Sequence, residues 1–84
     1  TMLSYAEATD GIYTIISRLG FKLFTGESDR KTSILLLRKQ VMNYYSRLSK
    51  ENKLDVLHAY QAKDRAELIE TVIFQMMERV EEGG

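Results

Sequence analysis

Asp55 and His58 stand three residues apart, and His58 is the chain's only histidine. On one helical turn the carboxylate could hold the imidazole, and imidazole is the side chain whose unperturbed pKa lies near neutrality, so the pair has the form of a general base. No nucleophile is paired with it by spacing, and a lone histidine is a poor start for a metal site. Asp64, Glu67 and Glu70 form a second acidic group at helical spacing. Carboxylate chemistry needs two acids held in different environments. These three fall in the first turns of a helix, where capping and the helix dipole already account for them.

Other chemistries lack their recurring residues. There is no Glu-x-x-His pair for a di-iron bundle, and Gly20 and Gly26 do not have the spacing of a phosphate-binding loop. Cysteine is absent, which removes disulfides and thiolate metal sites and is compatible with a reducing compartment. The terminal Gly83–Gly84 is too little to indicate a processed tail. We therefore expect no catalytic residue, no metal, no cofactor and no small-molecule substrate. The expected class is a non-enzymatic module.

Two binding chemistries remain. The first is apolar. Five tyrosines, four methionines and three phenylalanines are many large side chains for 84 residues. Methionine adapts to irregular contacts and aromatic rings supply rigid contact area. Phe21, Phe24, Tyr45, Phe74, Met76 and Met77 are the candidate partner-binding residues. The expected partner is another protein, a second copy of the chain as a homodimer, or both. The second chemistry is electrostatic. Residues 18–53 carry nine basic and three acidic side chains, whereas residues 54–84 carry three basic and seven acidic ones, so a net charge of zero conceals a dipolar surface. Arg30, Lys31, Arg38, Lys39, Arg47 and Lys50 are candidates for contacting phosphates, with Tyr45 offered to a base. A nucleic-acid-associated regulator is thus the alternative, although a binding domain ordinarily shows a clear basic excess.

These groups must be positioned by helices. From Ile34 to Leu48, apolar residues recur at spacings of three and four (Ile34, Leu37, Val41, Tyr44 or Tyr45, Leu48), Leu35, Leu36 and Met42 widen the apolar arc, and this stretch reads as the spine of the fold. It is entered through Ser28 or Asp29 as N-cap. A first helix is expected from about Ser4 to Arg18. Ser4 and Glu7 form its capping box, Leu3 and Ala8 a weak staple, and Ala6, Thr9, Ile12 or Tyr13, Ile16 and Leu19 its inner face. Gly11 implies either a close helix crossing or a helix that begins only after Asp10. Gly20 is the expected C-cap, which makes Phe21–Phe24 a connector plugging the end of the bundle. Ser49 caps a short third helix over Lys50–Tyr60 with Leu54, Leu57 and Tyr60 or Gln61 as its apolar positions and Val56 alongside, unless helices two and three are one kinked helix. Asp64 and Glu67 open the last helix, whose stripe is Leu68, Ile69, Val72, Ile73, Met76, Met77 and Val80. Residues 81–84 should fray.

The expected architecture is all-α: one domain over residues 1–84, a compact antiparallel bundle of four helices with a short third, and three helices as the fallback. Short connections should make sequential helices antiparallel neighbours. The first residues lack the basic start of a signal peptide, and no apolar run is long enough to cross a bilayer, so a cytoplasmic, membrane-free protein is expected.

Overall fold

The chain is described by a computed structural model covering residues 4–83. Among the described residues there are four α-helices and no strand: α1 Tyr5–Phe24, α2 Arg30–Ser46, α3 Lys50–Ala59 and α4 Arg65–Gly83. The expected all-α four-helix bundle with a short third helix is the fold.

Each start is set by a side chain that satisfies an otherwise unpaired N–H. The Ser4 hydroxyl accepts from the Glu7 N–H at 3.2 Å while the Glu7 carboxylate accepts from the Ser4 N–H at 3.4 Å, a complete capping box. Asp29 accepts from Thr32 at 2.6 Å, Ser49 from Asn52 at 3.2 Å and Asp64 from Glu67 at 2.9 Å. The Thr32 N–H holds the Asp29 carboxyl below the usual carboxylate range. Leu3, expected to staple the first cap, lies outside the described residues.

Two stops have the same geometry. After α1, Glu27 N–H donates to Lys22 C=O at 2.9 Å and Gly26 N–H to Leu23 C=O at 3.2 Å, with Gly26 at φ 80°. After α3, Ala62 N–H donates to Leu57 C=O at 2.8 Å and Gln61 N–H to His58 C=O at 3.0 Å, with Gln61 at φ 54°. Both are Schellman closures, which need one left-handed residue. Gly26 takes that position freely; Gln61 carries a Cβ there and is strained. The expectation of a cap at Gly20 is therefore corrected. The helix passes through Gly20, and Phe21–Phe24 form its last turn rather than a connector. Arg47 ends α2 and Ser49 starts α3, so these are two helices and not one kinked one. At the other end, α4 continues through Glu81 and Glu82 to Gly83, and Gly84 lies outside the described residues.

The core is formed by Ala8, Ile12, Ile16 and Leu19 of α1, Leu37 and Val41 of α2, Val56 of α3, and Leu68, Ile69, Val72 and Met76 of α4. These positions repeat every three or four residues, so each helix contributes one face. The α1 face enters at Ala8 rather than Ala6, and α3 turns Val56 inward while Leu54 stays exposed. The principal packing pairs are α1 with α4, α2 and α3, and α2 with α4. The central helix is thus α1 and not α2. Sequential antiparallel packing holds for α1 and α2, joined by a tight turn, but α3 packs chiefly on α1. Arg38 of α2 meets Glu70 of α4, and Arg30 lies beside Ile73, Met77 and Glu81. Accordingly α4 runs antiparallel to α2 and in the direction of α1.

Gly11 and Gly20 occupy one helix in different surroundings. A Cβ on Gly11 would overlap the ring of Tyr44, so the glycine admits the tyrosine across the α1–α2 crossing. A Cβ on Gly20 would meet Val80 at 3.7 Å and Met76 at 3.8 Å, ordinary contact. Gly20→Ala should stabilise the fold in urea unfolding by up to about 1 kcal/mol, the helix-propensity gain. Gly11→Ala should destabilise it by about 1–3 kcal/mol through overpacking, and its sign should reverse in a Tyr44→Ser background. Gln61→Gly, which relieves the left-handed backbone, should raise stability by about 1 kcal/mol in the same assay; an unchanged midpoint would show no strain at Gln61.

Candidate functional site

The six residues expected to bind a partner separate into different environments. Met76 is 0% exposed and belongs to the core, so its inclusion in a docking face is corrected. It shares the inward arc of α4 with Val72 and Leu68, one and two turns away. Tyr45 is half-buried, with the Lys53 ammonium 5.6 Å from its ring centre, and it fastens α3 to α2. Phe21 and Phe24 are 62% and 53% exposed on the last turn of α1. They border a groove of about 400 Å³ shared with Ile16, Ser17, Arg79 and Val80. Phe74 is 65% exposed and Met77 half-buried.

Phe74 and Met77 join Ile73 along a second groove, of about 580 Å³, between α4 and the start of α2. Arg30, Glu70, Glu78 and Glu81 edge it. The adjoining α2 surface exposes Leu35 at 58% and Met42 at 39% among Lys31, Arg38 and Lys39. Leu35 and Met42 were missed by sequence reasoning because they read as widening a core stripe. The signal was present in the spacing: Lys31, Leu35, Arg38 and Met42 follow intervals of four, three and four. This stripe is offset from the buried Ser33, Leu37 and Val41. Glu70, Phe74, Met77 and Glu81 repeat the same intervals on α4.

All six residues of the basic alternative are exposed. They do not form an uninterrupted basic surface. Arg38 Nη2 is 3.0 Å from Glu70 Oε1, and Arg30 faces the glutamates of the α4 groove. Arg47 borders the α1–α2 side instead, next to Ile15, Tyr44 and Leu48.

The chemical candidates are placed as follows. His58 is exposed and lines a cleft of about 140 Å³ with Ser4, Tyr5, Ala8, Asp55 and Ala59. The Ser4 hydroxyl there is occupied as the α1 cap. Among the described residues no three His, Cys, Asp or Glu side chains gather as metal ligands, and no helix is long and apolar enough to cross a membrane. Comparison with protein-family models, curated proteins and solved structures found no significant match to this chain.

Tyrosines also organise one end of the bundle. The Tyr60 hydroxyl points to the Thr9 carbonyl at 3.4 Å. Burial, together with the neighbouring Tyr5 and Tyr44, pushes its pKa up to about 12. Burial and then Asp10 also raise Tyr44. On the opposite side, Arg79 donates to the Tyr13 hydroxyl at 2.8 Å while its guanidinium carbon lies 4.5 Å from the ring centre.

A tyrosine raised in the folded state keeps its proton where the unfolded chain has lost it. Its contribution is fully present below pH 10 and is lost as pH rises from about 10 to about 12. Phenolate absorbance should therefore show a late-titrating tyrosine near pH 12, and stability should fall across this window; both features should diminish in Tyr60→Phe. A set of tyrosines that all titrate together near 10 would contradict this placement.

Proposed function

We propose that this domain is a non-enzymatic protein-interaction module whose docking face is the outer surface shared by α2 and α4. The observation that carries the reading is the exposure of Phe74 at a groove lined by Ile73 and Met77, and of Leu35 on the neighbouring helix α2, in a chain whose core is already closed by other residues. Large apolar side chains that a fold leaves uncovered together, with a charged rim, are the usual form of a docking surface. Phe74 is an aromatic anchor of the kind that dominates such contacts. The rim charges orient an encounter more than they drive it.

The basic residues of α2 support association with an acidic surface better than with nucleic acid. Glu70, Glu78 and Glu81 border the same face, and a phosphate backbone approaching Arg30 or Arg38 would meet them.

The reading is tested by photo-cross-linking in cells with a benzophenone amino acid at position 35 or 74, and at exposed positions 14 and 61 as controls. Adducts should form at 35 and 74 only. Adducts with another protein should be competed away by excess unlabelled native chain and not by the Phe74→Asp chain; adducts with a second copy should instead form on added native chain and not on added Phe74→Asp chain. Equal labelling at all four positions, or none, would refute the docking face.

A further inference from the structure

Resting on that reading, we infer that the occupant of the α2–α4 face is a second copy of this chain, related by a two-fold axis parallel to the bundle. Each α2 then lies on the other copy's α4.

The first ground is charge complementarity. α2 carries Arg30, Lys31, Arg38 and Lys39 and no acidic residue; α4 carries five glutamates against Arg65 and Arg79. The two helices lie side by side in one chain, so one face presents a basic half and an acidic half. Two copies brought face to face about an axis across the helices would set α2 on α2 and α4 on α4, like charge on like. An axis along the helices exchanges the halves, and basic meets acidic at both contacts. The contact is isologous and closes at two copies.

The second ground is register. Rotation about an axis parallel to the helices leaves every residue at its own height along the bundle. The Arg38–Glu70 pair, 3.0 Å apart, marks one common height on the two helices. From there Leu35 is three residues along α2 and Phe74 four along α4, which at 1.5 Å per residue puts them about 4.5 and about 6 Å from it, in the same direction because the helices are antiparallel. Leu35 of one copy is thus opposite Phe74 of the other, twice. Lys31 is one turn further and falls opposite Met77 and Glu78, where its stem covers the thioether and its ammonium meets the carboxylate. The matched four-three-four intervals on both stripes are those of helices packing knobs into holes.

The experiment is sedimentation equilibrium of the full chain and its variants at low and high salt. The native chain should give twice the mass of 9.7 kDa, and the dimer should persist in high salt. Phe74→Asp and Leu35→Asp should each raise the dissociation constant at least about 30-fold, the scale of a central anchor lost from an interface. Both side chains lie outside the core, so helical circular dichroism should be retained. Lys31→Glu alone and Glu78→Lys alone should each weaken association, and an equimolar mixture of the two should associate more tightly than either. The two single losses together with that recovery require α2 on α4, because with α2 on α2 and α4 on α4 each native contact already sets like charge on like and neither single reversal would weaken it. A native chain that stays monomeric, or a mixture without recovery, overturns the inference. If monomers are found while cross-linking at position 74 still captures a competable protein of another mass, the docking face stands and only its occupant is wrong. If no competable adduct forms either, both readings fall.

Discussion

The fold depends on α1 serving three neighbours at once. Ala8, Ile12, Ile16 and Leu19 are all buried on it, and α2, α3 and α4 each pack against it. Such sharing is possible because α1 is long and its surface is thin at the crossing. Gly11 lets the Tyr44 ring lie where a Cβ would stand. The short α3 then has only one face to bury, through Val56, and the turn after it sends α4 back along α1. Once these contacts are made, the outward arcs of α2 and α4 have no remaining partner among the described residues. The uncovered face is therefore a consequence of α1 being the centre.

The starts of the helices were readable because a cap is a local event. Ser4 with Glu7, Asp29, Ser49 and Asp64 each act within one turn, and all four do what their types imply. The stops were less readable. Gly20 and Gly26 are both glycines near the end of an apolar pattern, and which one closes the helix is decided by backbone carbonyls of Lys22 and Leu23 that the sequence does not distinguish. Gln61 shows the converse: a left-handed closure made by a residue whose type does not announce it.

Part of the candidate face was equally hidden. Periodicity tells that Met76 and Met77 both belong to a wide apolar arc, but not where the arc ends. The position of α1 decides that, placing Met76 at the centre of the core and leaving Met77 at its edge. Leu35 and Leu36 are adjacent and alike in type, yet one is exposed and the other packs against the core. Their types do not separate them; the way α2 is seated in the bundle does. Phe74 was identifiable because it lies on the far side of α4 from Val72 and Met76 whichever neighbour is present.

Charge and apolar surface have different roles on the α2–α4 face. The Arg38–Glu70 pair is largely exposed, at 45% and 66%, so it contributes at most about 1 kcal/mol within the chain and less in salt. The same is true of any single pair formed across a contact at its rim. In the proposed contact, affinity then comes from removing Phe74, Leu35 and Met77 from water, which at about 25 cal/mol per Å² does not depend on salt in the same way. What the charges supply is selection among arrangements that would bury the same apolar area. Apolar contact alone does not distinguish α2 on α2 from α2 on α4; four cations without an anion on one helix and five glutamates on the other do.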